Sequence, residues 1–147
     1  DRAFADAREW DDSLTLSVNI SPVQLRDPWF AQKLLKRLVA ANFPPQRLEI
    51  EITESCLHEN ITLVRSMITS LRNQGVHISL DDFGTGYSSL SYLRRLPAEE
   101  LKIDRSFTVE CMRDARTLTI VKAVVEMARS LGITVSQVVQ THEDDLV

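Results

Sequence analysis

Two adjacent carboxylates, Asp81 and Asp82, stand just ahead of Gly84-Thr85-Gly86, while Asn19, Glu51 and Lys102 occupy comparable places at the ends of other short apolar runs. Carboxylate and amide oxygens, with no thiolate or imidazole among them, suit a hard divalent cation such as magnesium or manganese. Neighbouring carboxylates repel each other unless a positive charge lies between them. If Asp81 bridged two ions, the site could activate a water and neutralise a phosphate oxygen together, the logic of two-metal phosphodiester hydrolysis. Lys102 would then hold the attacking water or balance developing negative charge. Each residue also has a plainer reading. Asn19, ahead of Ser21-Pro22, could cap a turn, Glu51 and Glu54 could be solvated strand-end acids, Asp81-Asp82 could serve a turn, and Lys102 could be a surface residue. The coincidence of four separate strand ends favours a site.

The elements that must carry these residues are legible as alternating periods. Leu14 to Ile20 alternates apolar and polar residues and places Asn19 near the carboxyl end of a strand. Leu48 to Thr53 does the same, with Glu49, Glu51 and Thr53 on one phase and Glu54 at the tip. Val76 to Leu80 forms a third strand that delivers Asp81 and Asp82, which alternation sends to opposite sides. Leu101 to Asp104 is a fourth strand and Ile133-Thr134-Val135 opens a fifth. Between them lie helical patterns. Phe4, Ala7 and Trp10 share one side of a helix within residues 1 to 13. After Asp27-Pro28, residues Phe30, Ala31, Leu34, Leu35, Leu38 and Val39 give a buried face. Asn60 caps a helix lined by Ile61, Val64, Ile68 and Leu71 and closed by Gly75; Tyr87 to Leu96 and Arg116 to Leu131 follow.

Strand and helix thus alternate from end to end, which predicts an α/β fold with a parallel sheet and right-handed crossovers. Sheets covered on both faces read apolar on both phases, whereas here one phase carries Asn19, Glu51, Asp81 and Lys102. A β/α barrel, whose lumen opens into a polar site at the carboxyl ends of its strands, accommodates them on one side. The 147 residues fit one domain, and a formal net charge of −4 without a basic cluster excludes an electrostatic case for binding a nucleic acid polymer. Cys56 and Cys111 share no motif and fit a reducing compartment, and His58, His77 and His142 have no ligand spacing. No apolar run approaches the roughly 20 residues of a membrane span.

Asp-Asp-Phe-Gly-Thr-Gly-Tyr-Ser-Ser-Leu at 81 to 90, with Val-Asn-Ile-Ser at 18 to 21, Glu-Ile-Thr-Glu-Ser at 51 to 55 and Lys-Ile-Asp-Arg-Ser-Phe at 102 to 107, closely resembles the EAL family of bacterial cyclic di-GMP phosphodiesterases. The resemblance covers about residues 14 to 135. It implies a TIM-type β/α barrel that hydrolyses cyclic di-GMP to linear pGpG with magnesium or manganese, in the bacterial cytoplasm. By position it implies that Asn19, Glu51 and Asp81 are metal ligands, that Asp82 serves a second metal, that Lys102 holds the catalytic water, and that Glu54 anchors the loop from Phe83 to Ser89.

It also implies features that this sequence lacks. The name-giving Glu-Ala-Leu belongs upstream of Asp1. The usual Val-Ala-Glu-Gly-Val-Glu-Thr is replaced by Val135-Ser136-Gln137-Val138-Val139-Gln140-Thr141, so that Gln137 stands where an acid is expected; glutamine keeps an oxygen but has no charge and cannot act as a base. A complete barrel takes about 250 residues. The expectation is an incomplete barrel of about five strands spanning 1–147, without the first and last strands and inactive by itself. The alternative is a degenerate module that binds cyclic di-GMP or serves signalling and oligomerisation. Unpaired sheet edges would also favour homo-oligomers, with exchange of elements between chains as one route.

Overall fold

The computed structural model describes residues 2–58, 60–83 and 90–137. Five strands, β1 (Leu16–Ile20), β2 (Leu48–Thr53), β3 (His77–Phe83), β4 (Glu100–Ile103) and β5 (Thr134–Gln137), form one sheet in chain order, every neighbouring pair parallel. Among the described residues, seven α-helices run before and between them: α1 (Arg2–Arg8), α2 (Pro22–Leu25), α3 (Phe30–Ala40), α4 (Ile61–Asn73), α5 (Leu90–Arg95), α6 (Arg105–Cys111) and α7 (Ala115–Ser130). Parallel strands in strict sequential order with helical crossovers are consecutive units of a β/α barrel. The described residues therefore form the run of about five strands expected of a TIM-type barrel.

Period-2 alternation divides the sheet into two chemically distinct faces. Leu48, Ile50, Ile52, Ile78, Leu80 and Leu101 are each at most 2% exposed and form the core beneath the helices. Burial of each such side chain contributes about 2 kcal/mol. The intervening positions hold Ser17 and Asn19, Glu49 and Glu51, Ser79 and Asp81, Glu100 and Lys102, and Ser136, and the cross-strand register keeps them in phase.

The helices hold this sheet by ordinary devices. In α4, Val64, Met67, Ile68 and Leu71 recur at helical spacing and are buried. The Leu63 amide donates to Asn60 Oδ1 at 3.1 Å, satisfying one of the free amides of the first turn. Asn60→Ala is expected to cost about 1 kcal/mol, visible as a lower denaturant midpoint at unchanged slope. Gly75 closes the helix at φ +96, and a Cβ there would lie 2.9 Å from Gln46 Nε2.

Arg47 fastens the N-terminal segment to the start of β2. It sits in a 3-10 turn (Pro45–Arg47) directly before that strand and is 8% exposed. Its Nη2 donates to Ala7 O at 2.9 Å and Asp11 O at 3.2 Å, its Nε to Leu14 O at 3.0 Å and its Nη1 to Asp12 Oδ1 at 3.3 Å, with the guanidinium 5.3 Å from the Phe43 ring centre. Carbonyls in the last turn of α1 and beyond its end thereby gain donors that the short helix cannot supply.

Three expectations need correction. The first helix ends at Arg8, and Trp10 is 44% exposed instead of lining the buried side with Phe4 and Ala7. Val39 is 82% exposed, because the inner stripe of α3 runs through Ala31 and Leu38 and Val39 lies about 100° round from Leu38. The short helices α2 and α6 were not expected, being too brief to show a period; Ser21 with Gln24 forms a capping box on one and Asp104 caps the other. The helix expected over Tyr87 to Leu96 is α5, Leu90–Arg95, while residues 84–89 lie outside the described region.

Candidate functional site

The polar face is built outward from β2. Glu49 and Glu51 are two residues apart on the same side of one strand, and Lys102 reaches them from β4 across the intervening β3. Strands are about 4.8 Å apart, so the span is roughly 10 Å, within reach of an extended lysine meeting a glutamate. The bridging path is open because β3 presents a small residue there. Ser79 is 1% exposed and donates to Glu49 Oε1 at 2.9 Å. Lys102 Nζ donates to Glu49 Oε1 at 2.6 Å and also to Glu51 Oε1. Ser17 Oγ donates to Glu51 Oε1 at 2.6 Å and approaches Glu49 Oε1 at 3.5 Å. Side chains of all three charged partners are less than 20% exposed, so water screens the cluster poorly.

Protonation follows from these contacts. Burial opposes the charge on Lys102, but hydrogen bonds to and the charges of Glu49 and Glu51 overcome that opposition and push the ammonium's pKa up. Burial likewise pushes against the Glu51 carboxylate, and hydrogen bonds from Lys102 and Ser17, with the lysine charge, hold it below the ordinary glutamate value. Asp81 goes the other way. Burial raises it, the Asp82 amide that donates to its Oδ1 at 2.9 Å lowers it, and the charges of Asp82 and Glu51 raise it further. Glu51, Asp81 and Asp82 therefore feel one another, and Asp81 is the carboxylate least compensated by the protein.

Opposite shifts give opposite pH dependences. Glu51, lowered on folding, contributes stability that is present above the ordinary glutamate pKa of about 4.3 and lost as pH falls through its folded value. Asp81, raised on folding, costs stability once pH rises through its folded value, because the folded protein binds its proton more tightly. In chelator, Asp81→Asn is expected to be more stable than the parent at pH 7, by less than about 1 kcal/mol since water reaches this carboxylate. The difference should vanish below about pH 4. Urea titrations at both pH values check it; equal stability at pH 7 would refute the assignment.

Asp82 departs from simple alternation. Leu80 pairs with Leu101 and Phe83 with Ile103, so three steps along β3 match two along β4. Asp82 has φ 55, the left-handed region that aspartate tolerates better than bulkier residues. Both apolar neighbours keep the core side, so Asp81 and Asp82 together occupy the slot opposite Lys102 instead of pointing to opposite sides. The left-handed residue absorbs the extra step.

Asn19 lies directly across from Glu51 on β1, exposed and with no hydrogen-bond partner for its side-chain amide among the described residues. Glu54 begins a 3-10 turn (Glu54–His58) immediately after β2, is 5% exposed, and has no partner for either carboxylate oxygen among the described residues. The loop it was expected to anchor falls largely on residues 84–89, outside the described region. Gln137 pairs by backbone with Ile103, so the register puts Ser136, not Gln137, in phase with Lys102. Its side chain, like Gln140 and His142, is outside the described residues.

Expected site residues Asn19, Glu51, Asp81, Asp82 and Lys102 thus share one face. Glu49, Ser17 and Ser79 were missed as site residues, although they have the same strand parity as Glu51 and Asp81 and could have been found by it. The donor set is all oxygen, three carboxylates with the neutral amide oxygen of Asn19, which fits magnesium or manganese. Among the described residues, no three carboxylate, imidazole or thiol side chains yet close around a point where an ion could sit, and Glu51 is turned toward the lysine.

A family model described as EAL domain matches residues 1–144. An uncharacterised signalling protein of Caulobacter vibrioides is 42% identical over 146 residues, which are 99% of this chain and 18% of that protein. The solved structure of the Pseudomonas aeruginosa MucR phosphodiesterase in complex with c-di-GMP superposes with a TM-score of 0.84 at 35% identity, covering 97% of this chain and 60% of that one. Klebsiella pneumoniae BlrP1, solved as a manganese and cy-diGMP complex, gives 0.81 at 32% identity over 95% of this chain and 36% of that one. The chain spans about a fifth of the length of the curated relatives it matches.

Proposed function

The chain belongs to the EAL domain family, and from that premise we propose that it forms part of a cyclic di-GMP phosphodiesterase domain that needs magnesium or manganese. The convergence of Asn19, Glu51, Asp81, Asp82 and Lys102 on one sheet face is the observation that carries this reading. Metal complexes of the similar BlrP1, with manganese and with calcium, support it.

Asn19, Glu51 and Asp81 would hold one cation, with Asp82 serving a second. When bound, such a cation supplies a Lewis acid that polarises the phosphodiester and makes water easier to deprotonate. The residues of the chain do the positioning. In hydrolysis, water adds to phosphorus, one ring P–O bond breaks, and the departing ribose oxygen gains a proton, giving linear pGpG. Lys102 is held protonated by two carboxylates, so it donates rather than abstracts: it can orient the attacking water and balance the charge that builds on phosphate oxygens. Glu54 would anchor the loop after Asp82 at the edge of the site. Free Cys56 and Cys111 are consistent with a reducing cytoplasm.

Conversion of cyclic di-GMP to pGpG by the full natural-length protein in manganese tests the proposal; the absence of both turnover and saturable binding would overturn it. Gln137 in place of an acid favours a second reading, in which residues 1–147 bind the dinucleotide without cutting it. Calorimetric binding with no pGpG formed would select that reading. Self-association is a further proposal, supported by β1 and β5, each of which has a single neighbour among the described strands; a monodisperse monomer in light scattering at high concentration would refute it.

A further inference from the structure

We propose that Glu49 is a positioning residue that retains the Lys102 ammonium when Glu51 is required by a divalent cation. The inference rests on the reading of Glu51 as a metal ligand. Lys102 is shared between two acids on one strand, and the two seats differ. Glu49 Oε1 accepts from Lys102 at 2.6 Å and from the buried Ser79 hydroxyl at 2.9 Å, with Ser17 Oγ at 3.5 Å. Glu51 Oε1 accepts from Ser17 at 2.6 Å and from the lysine. Glu49 pairs along the strand with the start of β3 and so lies farther from the carboxyl end of β2 than Glu51, whose strand neighbours include Asn19.

An ammonium and a divalent cation repel each other, so one carboxylate oxygen cannot serve both at close range. Lys102 seated on Glu51 Oε1 therefore opposes an ion that Glu51 would share with Asn19 and Asp81. Glu49 is the other acid to which Lys102 donates, and it lies only two residues away on the same face, about 6.6 Å along the strand. The lysine can settle on Glu49 by a side-chain tilt, with β4 fixed. Without Glu49, Glu51 is the one acid left among the described residues that accepts a hydrogen bond from Lys102, and the lysine becomes a stronger internal competitor of the metal. Glu49 thereby acts on the metal through Lys102, without touching it.

Manganese binding to the full natural-length protein, read by the paramagnetic resonance of free Mn²⁺ in the absence of substrate, separates this from a general effect of charge. Glu49→Gln is expected to weaken binding about tenfold, the lower end of what loss of a supporting partner does at metal sites. Lys102→Met is expected to tighten it several-fold. In the Lys102→Met background, Glu49→Gln should change affinity less than twofold, and Glu49→Asp in the parent should restore most of it. An equal loss from Glu49→Gln in both backgrounds, or no loss in either, would overturn the proposal. Glu51→Gln distinguishes the underlying reading: if it leaves manganese affinity intact, Glu51 is not a ligand and the premise fails instead. Far-ultraviolet circular dichroism on each variant, with Glu49→Asp as the least disruptive one, shows that affinities are compared between folded proteins.

Discussion

Lys102→Met is expected to lower the turnover number for cyclic di-GMP by a factor of about 10² to 10³, the usual cost of deleting one preorganised donor aimed at developing charge. The structure explains why the loss should be large. Lys102 is 15% exposed, held by Glu49 and Glu51, and kept protonated by them, so it is a fixed positive charge in a site that water enters poorly. Methionine conserves most of the stem and none of the charge. It also leaves two facing carboxylates without a counter-ion, and removal of one partner from a buried ionic cluster costs about 3–5 kcal/mol before relaxation. The sign is checkable. A lysine whose pKa is raised on folding contributes stability fully below its unfolded value of about 10.4 and loses it only as pH rises through the folded value. The parent's lysine contribution is therefore flat from pH 5 to 9, whereas the variant, whose clustered acids have lost their counter-ion, should gain stability toward acid. Denaturant titrations at pH 5 and pH 8, together with pGpG formation, test both halves. A variant with parental turnover, or one equally stable at both pH values, would refute the role given to this lysine.

The second large effect concerns Glu54 and runs in two directions. Its carboxylate is buried and both oxygens lack a partner among the described residues, and a buried polar group left unsatisfied costs about 1–3 kcal/mol. Glu54→Met, similar in length and without the polar atoms, is expected to raise the stability of the ligand-free protein by about that amount, or roughly 2–4 °C in Tm per kcal/mol for a chain of this size. Turnover should fall at least about tenfold, because the loop after Asp82 loses the acid proposed to hold it. Stability gained where activity is lost is the signature of a group kept for function. A fall in Tm would show instead that Glu54 finds partners in solution that support the fold, and unchanged turnover would remove it from the site.

How much of this was readable without coordinates depended on whether a residue obeyed its local period. Leu48 to Thr53 alternates without interruption, and β2 occupies those residues. Asn60 and Gly75 mark the ends of α4 through backbone chemistry that involves no distant partner. Asn19, Glu51 and Lys102 came to one face because parity in parallel strands survives an error of a residue or two at the strand ends. Asp82 broke the rule, since a left-handed residue shifts the register and nothing in Asp-Asp-Phe announces which aspartate takes it. Trp10 was misplaced because α1 stops at Arg8, and the chain just after it meets a side chain some forty positions away: Arg47 donates to Ala7 O and Asp11 O. Glu49 was visible as a polar residue of the right parity, but its meaning lies in Lys102 two strands over, a contact that period alone does not specify.

The Arg47 fastening has a mechanical consequence. One guanidinium gathers the tail of the first helix, the turn after it and the approach to β1, and it does so two residues before Glu49. A pull on the leading helix is not dissipated in a slack connection; it is delivered, through a single rigid side chain, to the rung of the sheet on which both lysine-binding acids stand.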